Sequence, residues 1–162
     1  MLSIVVLISG SGSNLKALLE ACDNPLFPAK IVAVGSDKAA DGLANAEQFG
    51  VPTFVVEPGL FESRDQWSEV LLHNVKYHNP DLVVLAGFMK VLPQGFVSAL
   101  SPNLINMHPS LLPAFPGAHA VRDALAAGAN TTGATVHIVD AGVDTGPVLA
   151  QREVPVAQGI SE

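Results

Sequence analysis

Charge is scarce in this chain. Only 14% of its 162 residues are charged, and 8 basic against 15 acidic residues leave a formal net charge of -7. No lysine or arginine run occurs, so nothing neutralises a phosphate backbone in bulk, and nucleic acid is not an expected partner. Cysteine is reduced to Cys22. One thiol can form neither an intramolecular disulfide nor a cysteine zinc site, and a lone cysteine is expected to fill a core position. The apolar start, Leu2 to Ile8, is far shorter than the ~20 residues that span a bilayer. It has no basic region before it and no small-residue cleavage site after it, so it does not read as an export signal. These absences point to a soluble cytoplasmic protein with no membrane partner.

What is abundant is apolar surface. Hydrophobic residues make up 49% of the chain and the mean hydropathy is +0.39, which argues against disorder. The length fits one domain, residues 1–162, and a domain of this size buries roughly 70% of the surface its unfolded chain exposes.

Strands and helices alternate along the chain. Leu2 to Ile8 is an almost unbroken apolar run, as in a parallel strand covered on both faces. Leu15, Leu18, Leu19 and Cys22 then share one helical face, and Asn24-Pro25 ends that helix. A second strand is expected at Lys30 to Gly35 and a short helix at Gly42 to Phe49, closed by Gly50. A third strand is expected at Thr53 to Val56. Ser63 opens a helix with Gln66 three residues on, and Trp67, Val70, Leu71 and Val75 are its expected buried stripe. Further strands are expected at Asp81 to Ala86 and Leu104 to Met107, and a helix at Ala118 to Ala127. Thr132 to Val139 and Pro147 to Val156 lie too close together for a helical crossover, so they should pair antiparallel. The class is therefore α/β, a Rossmann-like mostly parallel sheet with helices on both faces and antiparallel late strands. Gly159-Ile160-Ser161-Glu162 reads as a loop entering a helix, with Ser161 as its cap and Glu162 as a first-turn acid. The chain is expected to be a shortened form of a longer protein.

Three stretches carry residues suited to chemistry. Gly10-Ser11-Gly12-Ser13-Asn14 joins the first strand to the first helix. Small residues there let a phosphate reach the orphan amides of a helix start. Leu15 stands where a dinucleotide fingerprint needs its third glycine, and no P-loop lysine follows. The plainer reading is a tight turn with Ser13 as helix cap. In Asn106-Met107-His108-Pro109-Ser110-Leu111-Leu112-Pro113, Asn106 and His108 are two apart at a strand end and so point to one side. An amide can donate to an oxyanion and an imidazole can move a proton; the plainer reading is a histidine that merely ends a strand. In Asp140-Ala141-Gly142-Val143-Asp144-Thr145-Gly146-Pro147 the two aspartates are ordinary turn formers, unless one reaches His108 and holds its ring. The strand-glycine-helix opening, with Asp37 near the end of the second strand, favours a nicotinamide-dependent oxidoreductase instead, against the missing third glycine and the His108 loop. His73 and His78 read as solvated, and His119 and His137 as open to either role.

The second of these stretches closely resembles the folate-dependent formyltransferases, and Leu85-Ala86-Gly87-Phe88-Met89-Lys90-Val91-Leu92 and the aspartate loop match the same family. Ile8-Ser9-Gly10-Ser11-Gly12-Ser13-Asn14-Leu15 narrows the resemblance to the branch that formylates glycinamide ribonucleotide in purine biosynthesis. The resemblance implies 10-formyltetrahydrofolate as formyl donor and no metal. It implies Asn106, His108 and Asp144 as catalytic residues and Gly12, Ser13 and Asn14 as the phosphate turn. It implies folate contacts at Arg64, Met89, Lys90, Val91, Leu92, Asn106 and Asp140. Leu85, Phe96, Leu104 and Val139 would be apolar walls. Members of the family continue into a further helical segment, which this sequence is expected to lack; the protein itself is expected to be a monomer or homodimer. A formyltetrahydrofolate hydrolase, a methionyl-tRNA formyltransferase and a fragment that only binds nucleotide are the other readings.

Overall fold

A computed structural model describes residues 1–161; Glu162, and with it the expected first-turn acid, lies outside the described residues. The chain divides into two compact units, Met1–Leu104 and Ile105–Glu162.

The first unit is built on parallel strands. β1 (Leu2–Ile8) pairs with β2 (Ala29–Ser36) on one side and with β4 (Leu82–Leu85) on the other, and β3 (Thr53–Val55) lies outside β2. Ile4 to Ile8 and Val83 to Leu85 are buried, as expected for parallel strands covered on both faces. Helices α1 (Ser13–Asp23), α2 (Leu43–Gln48), α3 (Arg64–Tyr77) and α4 (Gln94–Leu100) follow β1, β2, β3 and β4. Ser63 caps α3 by accepting the Gln66 N–H at 3.1 Å. Among the described residues no helix is long and apolar enough to cross a membrane.

Three expectations need correction, and one helix is unforeseen. Ser13 is not the cap of α1: Gly12 is, with φ +72, and Ser13 is the first helical residue. Only glycine takes that backbone without strain, and a Cβ there would stand 2.9 Å from the Gly42 Cα. Val70 is exposed and Ser68 is buried in its place, because the stripe through Trp67, Leu71 and Val75 turns toward Ser68 and away from Val70. Cys22 is only half-buried, since it sits in the last turn of α1; burial still pushes its thiol up. Helix α4 has no counterpart in the sequence reading. It buries only the adjacent pair Phe96 and Val97, which makes no periodic stripe.

The second unit is antiparallel, as expected of the late strands. β5 (Leu104–His108) pairs with β6 (Thr131–Ile138), which pairs with β7 (Val148–Pro155); α5 (Ala120–Ala126) precedes β6. β6 alternates, with Gly133, Thr135 and His137 buried, whereas β7 is exposed along its length. The β5–β6 register sets Asn106 opposite His137 and His108 opposite Thr135. Directly opposed residues share a face, so two polar pairs stand side by side on one face of the second unit.

Candidate active site

Strand β5 delivers Asn106 and His108, and the register of β6 brings His137 and Thr135 to meet them. The third component comes from the loop between β6 and β7. Asp140 Oδ1 accepts the Gly142 N–H at 2.9 Å and the Thr145 hydroxyl at 2.7 Å, which closes that loop as an Asx turn. Gly146 rests on the Ile138 carbonyl, where no Cβ fits. The Ile138 N–H then donates to Pro147 O at 2.9 Å. So folded, the loop turns Asp144 inward with φ +55, a left-handed backbone that aspartate tolerates better than most residues. The two aspartates thus divide the work: Asp140 shapes the turn, and Asp144 is carried to the imidazoles.

Asp144 Oδ1 lies 3.4 Å from His108 Nδ1 and 3.6 Å from His137 Nε2, and its Oδ2 accepts the Gly117 N–H at 2.9 Å. The side chains of His108, His137 and Asp144 are 5%, 3% and 9% exposed, so the carboxylate and both rings are shielded from bulk water. The other nitrogen of His108, Nε2, lies 2.9 Å from the Phe115 carbonyl and donates to it. Both nitrogens of His108 therefore face oxygens: Nε2 donates to the Phe115 carbonyl, and Nδ1 stands at ion-pair distance from the Asp144 carboxylate. Phe115 holds its carbonyl there with φ +50, an uncommon backbone for a bulky side chain. Asn106 is half-buried, and its Nδ2 lies 3.3 Å from His137 Nε2.

A clamp centred on the buried Thr135 hydroxyl holds the loop that carries Phe115. The Thr135 hydroxyl donates to Ser110 O at 2.7 Å and accepts from Leu112 N at 3.1 Å and from Gln151 Nε2 at 3.0 Å. Gln151 Nε2 also donates to Leu112 O at 2.8 Å, and the Ser110 hydroxyl donates to Ala114 O at 2.6 Å. Valine at 135 keeps the shape and leaves the Leu112 N–H without its acceptor. Thr135→Val is expected to cost about 2–3 kcal/mol in urea unfolding. A cost below about 0.5 kcal/mol, the range of ordinary surface substitutions, would show that the clamp does not hold the loop.

The Thr145 hydroxyl first, then the Gly142 amide, hold the Asp140 carboxyl below its ordinary value. Because the folded value is the lower one, this contribution to stability is complete above the unfolded value. It is lost as pH falls through the folded one, so the turn loosens only in acid. Thr145→Val should bring the Asp140 midpoint back up in a carboxyl-carbon NMR titration; an unmoved midpoint would remove the hydroxyl as the cause.

The remaining sequence candidates lie in the first unit, apart from Val139, which is half-buried at the end of β6, and His119, the exposed N-cap residue of α5. Two of the expected binding stretches meet at the carboxyl edge of the parallel strands. The Ser9 hydroxyl accepts the Met89 N–H at 2.8 Å and the Ser9 N–H donates to Gly87 O at 3.2 Å, which ties the stretch Gly87 to Lys90 to the glycine loop. Gly42 N donates to Gly10 O at 3.0 Å and Asn45 Nδ2 to Ser11 O at 3.3 Å, which fixes the loop from its other side. Ser13, Asn14, Met89, Lys90, Val91 and Arg64 are exposed and Leu92 is half-buried, while Phe96 and Leu104 are buried in the core. Asp37 is buried at 4% exposure and its Oδ1 has no partner, which deprives the oxidoreductase reading of an accessible ribose contact. Of the residues the sequence reading left open, His137 is the one in contact with the site; its place beside Thr135 at strand spacing was the signal.

A family model described as formyl transferase matches residues 2–162. Phosphoribosylglycinamide formyltransferase of Mycobacterium tuberculosis is 50% identical over 159 residues, which cover 98% of this chain and 74% of that protein. The trifunctional purine biosynthetic protein adenosine-3 of Drosophila melanogaster is 45% identical over 156 residues, covering 94% of this chain and 12% of that protein. Among solved structures, glycinamide ribonucleotide transformylase 1 from Symbiobacterium toebii superposes with a TM-score of 0.94 at 43% identity, covering 98% of this chain and 76% of that one.

Proposed function

The chain belongs to the formyl transferase family, and from that footing we propose that it moves the formyl group of 10-formyltetrahydrofolate to the amine of glycinamide ribonucleotide in purine biosynthesis. The observation that carries the catalytic assignment is the meeting of Asn106, His108 and Asp144, from a strand end and a distant loop, around shielded imidazole nitrogens.

In this reading the substrate amine attacks the formyl carbon and the carbonyl oxygen becomes an oxyanion. The Asn106 amide donates to that oxygen. His108 donates from Nε2, the substrate oxygen taking the place of the Phe115 carbonyl as its partner. The carbon–nitrogen bond to the folate then breaks, and the departing nitrogen takes a proton while the attacking amine loses one. Asp144 keeps the imidazole correctly turned and favours its doubly protonated form, from which His108 passes a proton toward the departing nitrogen and to which it returns with the proton that the attacking amine loses. Donors set in place before the charge develops are worth most in a shielded site, where one such group contributes on the order of 100- to 1,000-fold in rate.

The glycine loop, Gly12 to Asn14, is the proposed phosphate turn, with backbone amides and the start of α1 as donors. Arg64, Met89, Lys90, Val91, Leu92, Asn106 and Asp140 are the proposed folate contacts. A flat heterocycle wants an apolar slot with a few backbone hydrogen bonds.

The decisive assay mixes protein, formylated folate and glycinamide ribonucleotide and follows folate absorbance. Release of free folate that requires the amine supports transfer. Release without the amine would make the enzyme a hydrolase, and no release at all would overturn the reading.

A further inference from the structure

We propose that His137 is a positioning residue that decides which atom of the Asn106 amide faces the reacting carbonyl. The proposal rests on the reading of Asn106 as oxyanion donor and deepens it.

His137 Nδ1 lies 3.1 Å from the Ile138 carbonyl, which can only accept, so Nδ1 carries the proton. The uncharged ring then presents a bare Nε2. That nitrogen faces Asn106 Nδ2 at 3.3 Å, and an amide nitrogen can only donate. The two contacts are compatible in one tautomer alone. A doubly protonated ring would set Nε2–H against the amide N–H.

Asp144 Oδ1, at 3.6 Å from His137 Nε2, is the competing partner, and that separation is longer than a hydrogen bond. The groups that face His137 are thus the Ile138 carbonyl on its own strand, the Asn106 amide from β5 and the Asp144 carboxylate from the β6–β7 loop.

The consequence lies in the amide. Turned by half a rotation, Asn106 would offer Oδ1 where the oxyanion forms, and two oxygens would repel. The bare Nε2 of His137 accepts one amide N–H and so excludes that rotamer. The second N–H of the same nitrogen is left to donate. Antiparallel register makes this possible, because residues 106 and 137 are directly opposed.

Nitrogen NMR and the kinetics of a set of variants test it. Nitrogen NMR of wild-type protein should show His137 protonated at Nδ1 and bare at Nε2; a proton on Nε2 would overturn the proposal even if every variant misfolds. His137→Leu removes the acceptor and is expected to lower kcat about 10- to 100-fold, less than the roughly 100- to 1,000-fold of an oxyanion donor removed outright, because the amide is misdirected only part of the time. His137→Gln puts an amide oxygen near the place of Nε2 and should restore kcat to within about fivefold of wild type, since that oxygen accepts as Nε2 does. Failure of glutamine to restore a folded enzyme's rate would show that ring packing matters and not the acceptor. The double variant with Asn106→Ala should be no slower than Asn106→Ala alone, because coupled residues do not add. Additive losses, or a wild-type rate in His137→Leu beside a slow Asn106→Ala, would overturn the proposal while leaving the catalytic reading intact. A wild-type rate in Asn106→Ala would overturn that reading, and the proposal with it.

Discussion

Alanine at position 108 is expected to lower kcat by roughly 1,000-fold or more, while folate and nucleotide binding stay within a few-fold of wild type. Losing a positioned proton-transfer group costs about 100- to 10,000-fold, and the same ring supplies an oxyanion donor in the proposed mechanism. No other side chain replaces it. His137, the nearest alternative imidazole, has Nδ1 tied to the Ile138 carbonyl and Nε2 facing the Asn106 amide. The substitution also leaves the Asp144 carboxylate without its nearer imidazole and the Phe115 carbonyl without its donor. Some stability should go with the activity, about 1–3 kcal/mol for unsatisfied buried groups. A thermal melt separates the two effects, since turnover is to be compared well below the midpoint of the variant. Turnover within tenfold of wild type would remove His108 from the mechanism.

Asparagine at position 144 is the cleaner test of charge. Its backbone accepts the left-handed conformation that Asp144 adopts, so the loop need not move. Its amide oxygen can still accept the Gly117 N–H, now satisfied by Oδ2. The amide nitrogen then faces the two imidazoles. An N–H directed at His108 Nδ1 requires a bare nitrogen there, so the variant stabilises the ring with one proton where the carboxylate stabilises it with two. We expect kcat to fall at least 100-fold with the melting temperature little changed; misassigned imidazole protonation in a serine protease triad costs about 10,000-fold. Near wild-type turnover in a folded Asp144→Asn enzyme would show that the carboxylate has no part in the reaction. Read together, the two variants ask different things, one whether the ring is needed and the other whether its protons are set by Asp144.

Much of this was legible in the sequence because the signals are local. The unbroken apolar run of β1, the glycine loop after it, the Ser63 cap and the close spacing of β6 and β7 each depend on residues within a few positions of one another. The pairing of Asn106 with His108 on one side of β5 follows from strand alternation alone. Helix α4 escaped because its two buried residues are neighbours in sequence and give no period. Val70 was misassigned because the apolar stripe of α3 turns the other way around the helix.

What the sequence determined by itself was the inventory: an α/β chain, an amide and an imidazole side by side, and two aspartates in a tight turn. The family resemblance singled out Asp144, but that its carboxylate reaches the histidine, and which histidine meets the amide, was decided only by the tertiary structure. The Asn106–His137 contact joins residues 31 apart and the Gly117–Asp144 bond residues 27 apart. Such contacts depend on strand register and on how a loop folds back, and a shift of one residue would turn every side chain of β6 to its other face. Register is fixed by the summed packing of whole strands, which no short stretch of sequence contains.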